Sequence, residues 1–415
     1  MTNRRMFIRA GGAAAMGVAA TAVGSGPAAA AGDEPAYAEG HLGFSVKEFG
    51  AKGDGTTDDT AAIQAALDYA AAPGRTGSIV YLPRGTYRTS KALRVHPATT
   101  LQGTHGNHID EGDKTWVQTE SRIKPLDTFS GPACIEIVDR DTGGYPAGSA
   151  EQRLFHLTLN GSALAAGTGV DGIRFTGKIH GVVVRDVAIF DFPNHAITTA
   201  YRTPSDGGPQ ALYSARFERI AAKGNGGITY SFNNTTDSQF TDLESIEGGS
   251  HGFFIAGCGN SCFTNCRSEW SRHNGFDLRG GNGIVELLGC STDRNGFNGV
   301  SIDQNSTGEG VIVLNGLRLN RDGKSDNGGY AGLKINGTAA APVATAVLVS
   351  ALAVETGTND DKTGPTTPQY GVSVDNATTV VLESGIVRGR VAGYRAGGTN
   401  TTLKVGATFL SRTAS

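Results

Sequence analysis

The chain is poor in methionine and tryptophan, and it has no surplus of positive charge. Its 415 residues include 3 Met and 2 Trp, Trp116 and Trp270; aromatic residues make up 7% and charged residues 18%. A net charge of −3 gives no general basic surface for nucleic acid or an anionic membrane, so neither is expected as a partner. A local basic strip would still be enough to hold an acidic polymer. Beyond the N-terminus no apolar run is long enough to cross a bilayer. The 5 cysteines are an odd number, so they cannot all pair within one chain. Cys258, Cys262 and Cys266 have CxxxC spacing without a second pair of ligands, which argues against zinc and for small apolar core residues.

What the chain does have is glycine, 61 of them, mixed with Val, Thr, Ser and Asn. Without a collagen period, that mixture predicts many short strands joined by tight turns. The first residues carry Arg4 and Arg5 ahead of Phe7 and Ile8, then an Ala/Gly-rich apolar run and small residues up to Ala31. This is the pattern of a twin-arginine export signal over 1–31, and it predicts secretion. An ordinary secretory signal or an uncleaved anchor would also place the protein outside the cytoplasm. A linker is expected over 32–43 and a single β-domain over 44–415, with loop insertions near 102–150, 320–332 and 355–370.

The stretch "FSVKEFGAKGDGTTDDTAAIQAALDYAA" combines a short strand, a glycine-punctuated turn and a helix. Asp58 or Asp59 is placed to cap that helix, and Ile63, Ala66, Leu67 and Ala70 share one face of it. "YLPRGTY" follows as a strand pair. Together these closely resemble the N-terminal motif of the pectate-lyase-like superfamily. The resemblance implies an all-β fold, a single-stranded right-handed parallel β-helix with an N-terminal capping α-helix. It implies little about the reaction, because that superfamily hosts lyases, glycosidases, epimerases and phage spikes. Polygalacturonase-like members carry an adjacent Asp pair that is absent around "GSHGF" here. Alginate-epimerase modules carry an Asp-Pro-His-Glu cluster where this chain reads "GGITYSFNN", which argues against epimerisation.

The remainder supports a solenoid independently of the resemblance. Leu157, Val187, Ile220, Leu243, Cys266, Cys290, Leu317, Leu352 and Ile386 recur about 23 to 35 residues apart, one coil each. Stacking buries what no single coil could bury. Between these positions, "GSHGFFI", "SRHNGFDL" and "GFNGVSI" return to a polar residue, a glycine and a short strand. Aligning them puts His195, Gly226, His251, Asn274 and Asn298 in one column, beside Asn194, Asn225, Ser250, His273 and Phe297. In a parallel solenoid each column becomes a line of side chains roughly 4.8 Å apart, suited to consecutive sugars.

Two reactions fit that line. In β-elimination on a uronate-containing polysaccharide, Arg272 or Arg294, helped by Asn274, neutralises the uronate carboxylate. His251 or His273 then takes the α-proton, and Tyr230 or a histidine protonates the leaving oxygen. In glycoside hydrolysis, a carboxylate pair drawn from Glu269, Asp277 and Asp303 acts instead. Asn298, Arg279, Asn233, Asn234, Trp270 and His195 are the expected substrate-binding residues. A non-catalytic carbohydrate-binding or spike-like protein is the third reading, and a homotrimer fits such solenoids. No metal ligands are assigned; calcium is the only cofactor left open, since Asp360 and Asp361 suit a solvated loop better than a cation cage.

Overall fold

The structure, a computed structural model, describes residues 43–413 apart from 73, 76, 107–119, 139–150, 200–210, 304–309 and 326–328. The expected signal over 1–31, nearly all of the linker, and Trp116 lie outside the described residues.

Among the described residues, twenty-nine strands join one continuous sheet, and every pairing along it is parallel between successive coils. The fold is the expected right-handed parallel β-helix. Each coil has the same parts. A long strand such as Gln239–Ile246 bends in the middle, a turn follows over 247–252, and a short strand, Phe253–Ala256, leads back toward the next coil. The bend falls on one left-handed residue per coil: His156, Asp186, Arg219, Asp242 and Asn265, with φ between 49° and 56°, then Gly289 and Gly316. A single residue with positive φ redirects a strand without breaking its ladder. Asn and Gly adopt that conformation at least cost.

Strand pairing confirms the apolar column from Leu157 to Leu352. Val187 lies opposite Leu157 and Ile220, and Ile220 opposite Leu243. The neighbouring pairs Arg267↔Ser291, Ser291↔Arg318 and Arg318↔Ala353 carry the register through Cys266, Cys290, Leu317 and Leu352. The last member is wrong by one residue. Leu352 pairs with Gly385, so Ile386 faces outward and is 46% exposed. With a side-chain period of two, a one-residue slip changes the face.

The few aromatics are concentrated in the core. Phe217, Phe232, Phe240, Phe253, Phe263 and Phe276 are fully buried, with ring centroids as close as 4.2 Å for Phe240–Phe263 and 4.4 Å for Phe253–Phe276. Stacked pairs of this kind contribute about 0.5–1.5 kcal/mol beyond area burial. Cys134, Cys258, Cys266 and Cys290 are free and buried, as expected of core residues, whereas Cys262 is only partly covered.

The helix Thr60–Ala71 buries Ile63, Ala66, Leu67 and Ala70 against the first coils. Of the two expected caps, Asp58 is the one that holds the first helical amide. Asp59 accepts from the Lys52 and Gly53 amides and so closes the glycine turn, while Asp58 accepts from the Thr60 amide. The loop expected over 102–150 is interrupted by a regular strand, Ser121–Val138, paired with Gly85–Val95. Near 355–370, Gly357 and Thr367 form an antiparallel bridge and close a hairpin.

Candidate active site

The turns that link long strands to short ones carry the candidate chemistry in an inner and an outer layer, the inner position being Asn225, Gly248, Ser271, Asn295 and Asp322 in successive coils. The inner layer is a buried amide ladder. Asn225 Oδ1 accepts from the Phe192 amide, Asn295 Oδ1 from the Ser271 amide, and Asp322 Oδ1 from the Asn295 amide. Each rung satisfies the backbone of the preceding coil, which a dry interior requires. Glycine is needed where coils touch: a Cβ on Gly249 would sit 2.1 Å from the Gly226 carbonyl oxygen, and one on Gly296 1.9 Å from that of Arg272.

The outer layer begins with the short strands, whose register fixes the columns. Ile197 pairs with Tyr230, Tyr230 with Phe253, Phe253 with Phe276, and Phe276 with Val300. Counting back two residues gives His195, Ile228, His251, Asn274 and Asn298. Ile228 therefore replaces the expected Gly226, and Gly227 replaces Asn225 in the neighbouring column, because Asn225 belongs to the inner ladder. His195 is two strand spacings from His251, roughly 10 Å along the axis. Its Nδ1 accepts the Ile228 amide at 3.0 Å.

His251 and His273 come together, with ring centroids 5.2 Å apart. His251 is mostly covered. Its Nδ1 accepts the Asn274 amide at 3.3 Å, and its Nε2 lies 3.6 Å from Asp277 Oδ2. With Nδ1 engaged as an acceptor, the neutral ring keeps its proton on Nε2. His273 stacks on Phe297 at 4.6 Å, and Phe297 stacks on Tyr330 at 4.7 Å. Its Nδ1 is 3.1 Å from Ser250 Oγ; when Nδ1–H donates there, Nε2 is left with a free lone pair. Burial lowers both imidazole pKa values below the ordinary 6.5. His251 is lowered further by His273, and His273 by the Arg272 guanidinium, while Asp277 opposes the shift in both. Both rings are thus neutral at pH 7.

Asp277 is fully buried and anchors the cluster. Its Oδ1 accepts from Asn274 Nδ2 at 2.9 Å and its Oδ2 from Arg279 Nε at 2.7 Å. Arg279 also reaches Asp303, at 3.5 Å. Asn274 and Asn298 are 4% and 5% exposed and bond to each other, with Asn298 Nδ2 donating to Asn274 Oδ1 at 3.0 Å, so they position the turn and do not face a ligand. Arg272 is exposed, beside His273.

Several expected site residues lie elsewhere. Tyr230 is buried in the core with its hydroxyl donating to the Ile220 and Glu244 carbonyls, and burial raises its pKa well above the ordinary value; it cannot act as the acid. Arg294 is fully buried, donating to Asn359, Thr367 and the Arg321 carbonyl, so it pins the 357–367 hairpin and cannot meet a carboxylate. Glu269 sits on the long-strand side of the 270–275 turn, paired with Arg267, and forms no facing pair with Asp277. Between Asp277 and Asp303, Arg279 occupies the place a hydrolase needs for the glycosidic oxygen or a water. Trp270 is a left-handed corner with φ 54°, and the Lys324 ammonium covers its ring at 4.5 Å. Asn234 is likewise a corner, φ 51°, and Asn233 bonds to Ser231. Asp360 pairs with Arg321. Among the described residues no group of three or more His, Cys, Asp or Glu is placed to hold a metal ion.

Tyr330, Asn295 and Asp322 were not expected. Tyr330 follows an insertion that hides its register. Asn295 and Asp322 each come directly after a left-handed corner, Arg294 and Arg321, and that offset is the signal that could have found them.

Residues 43–124 match the family model described as rhamnogalacturonase A/epimerase, pectate lyase-like. The chain is 63% identical over 177 residues to mannuronan C5-epimerase AlgE3 of Azotobacter vinelandii, covering 38% of this chain and 8% of that protein. It is 32% identical over 175 residues to alginate lyase 7 of the same organism, covering 37% of this chain and 18% of that one. Among solved structures, the A-module of the Azotobacter vinelandii mannuronan C-5 epimerase AlgE6 superposes with a TM-score of 0.50 at 20% identity, covering 90% of this chain and 99% of the module. The chain thus spans under a fifth of the length of these two sequence relatives, and the structural likeness speaks for the fold. Residues 43–124 thus resemble the pectate-lyase-like family, and the structural likeness shows the parallel β-helix fold.

Proposed function

We propose that this protein is an exported enzyme that cleaves a uronate-containing polysaccharide by β-elimination at the His251–His273 turn. The observation that carries the reading is the pair of neutral imidazoles 5.2 Å apart, with a lone pair left on His273 Nε2 when its Nδ1–H donates to Ser250, beside the exposed Arg272. Arg272 receives the uronate carboxylate and stabilises the negative charge that grows on it as C5 loses its proton. His273 Nε2 takes that proton. The C4–O4 bond then breaks, a C4–C5 double bond forms, and the His273 imidazolium returns the proton to the departing oxygen. Asp277, held by Asn274 and Arg279, keeps the His251 proton on Nε2 and the ring in place. The relatives' names support the substrate class, a mannuronan or alginate-like polyuronate.

C5 epimerisation is the second reading, favoured by the AlgE3 identity. It shares the first step and differs in the second: the carbanion is reprotonated from the opposite face, and no glycosidic bond breaks. Incubating the protein with polymannuronate while following ultraviolet absorbance and reducing ends separates the cases. Absorbance rising with new ends supports elimination, new ends without absorbance mean hydrolysis, and inverted C5 centres at constant chain length mean epimerisation.

A further inference from the structure

Four cationic side chains converge on the first coils, far from the histidines. Gly85–Val95 and Ser121–Val138 pair in parallel, placing Thr86 opposite Arg122 and Arg88 opposite Lys124. With Arg84 and the glycine turn at Gly53 and Gly55, they line a polar cleft of about 570 Å³. The cleft is four coils from the histidine turn, counted through Thr158, Ala188, Ala221 and Glu244, or roughly 20 Å along the axis. It opens on the outer face of the long strands, whereas the histidines occupy the turn that leads to the short ones.

These charges are poorly compensated. Arg84 is exposed, and neither it nor Lys124 has a hydrogen-bond partner among the described residues. The Nε atoms of Arg88 and Arg122 are buried without partners. Three carboxylates are near: Asp54 accepts from Thr56 and Thr57, Glu120 takes Arg122 and the Thr158 hydroxyl, and Asp191 acts on Lys124 without a hydrogen bond to it. Burial, reinforced by Arg88 and Arg122, lowers the Lys124 pKa, although Asp191 opposes this. Holding like charges together with unused donors costs stability that a bound anion would restore.

We infer that this cleft is a second, non-catalytic site that binds carboxylates of an acidic polysaccharide and anchors the polymer while another part of it reaches the histidine turn. The choice of a uronate polymer rests on the function proposed above; the anion site itself does not. The test is calorimetric titration of polymannuronate, its carboxyl-reduced form and inorganic phosphate into full-length protein carrying His273→Gln, so that turnover plays no part. Polymannuronate binding should weaken roughly tenfold or more in Arg88→Gln/Lys124→Gln, with a shallower salt dependence. Arg84→Gln, at an exposed position without a hydrogen-bond partner among the described residues, should shift it the same way by less, with the melting temperature unchanged. The carboxyl-reduced polymer and phosphate should bind more weakly than polymannuronate. Unchanged polymannuronate affinity in both variants, or phosphate binding as tightly as the polymer, overturns the inference, whatever reaction the histidines prove to catalyse.

Discussion

Two corners in every coil do the same topological work with different chemical consequences. The bend within the long strand is one left-handed residue, so its side chain points to solvent and the backbone leaves no room for variation. There His156, Asp186 and Arg219 form only a surface ion-pair ladder, with Asp186 accepting from Arg219 at 2.7 Å. The turn before the short strand is longer, and the extra residues split into two layers. Asn225, Asn295 and Asp322 satisfy the backbone from inside, which leaves His273 and Phe297 outside for contact with a ligand, while His251 beside them still accepts the Asn274 amide. The comparison teaches that chemistry settles where the scaffold's own hydrogen bonding has been delegated to other residues.

The strongest way to sharpen this contrast is to remove the outer layer alone. His273→Gln should lower kcat/KM on the uronate polymer by about 10²–10⁴-fold, the usual worth of a general base, with the melting temperature almost unchanged. Equal losses of activity and stability would show that the layers are not separate. Next, Asn295→Ala removes a rung that serves Ser268, Ser271 and Asp322, and should destabilise by about 2–4 kcal/mol in urea unfolding.

Asp322 offers a subtler break. Burial pushes its carboxyl up to about 7, against the opposing hydrogen bonds from Thr292 and Asn295. The folded state therefore holds this proton to higher pH than an unfolded chain, whose carboxyl titrates near 3.8. Stability from this group is full below pH 3.8 and is lost as pH rises through about 7. Asp322→Asn keeps the shape and the bonds accepted from Asn295, and its amide can donate to the Thr292 hydroxyl oxygen, so it should flatten the fall in melting temperature between pH 5 and pH 8 and raise stability at the alkaline end by on the order of a few kcal/mol at most. The smallest effect belongs to the single-residue corner. Asn265→Val, at φ 54°, should cost about 1–2 kcal/mol, and Asn265→Gly close to nothing, with activity unchanged in both.

The solenoid was readable because burial repeats. Leu157 through Leu352 must each face the core, so spacing alone aligned them, and the helix face of Ile63, Ala66, Leu67 and Ala70 followed from the same logic. Ile386 slipped because Gly385 leaves no apolar mark at the inward position. The site was half legible. His251 and His273 could be paired from their repeat, because both sit in short, regular coils. Tyr230 misled because a core tyrosine and a catalytic one look alike in sequence, and its hydroxyl partners are backbone carbonyls that spacing cannot show. Arg294 misled because its partners, Asn359 and Thr367, lie on a hairpin that is distant in sequence. The basic cleft needed the register of two strands, one of them inside a stretch that reads as a loop.

The functional side of the comparison depends on His273 acting as the proton acceptor, and the fate of the C5 proton tests that most directly. Polymannuronate incubated with the protein across a pH series, and followed by proton magnetic resonance, should lose its C5–H signal. The rate should hold at neutral pH and fall only below the ordinary imidazole value of 6.5, since the His273 pKa is lowered, and His273→Gln should abolish the loss. An intact C5–H signal while the polymer shortens, or a rate that falls already above pH 6.5, would contradict the account.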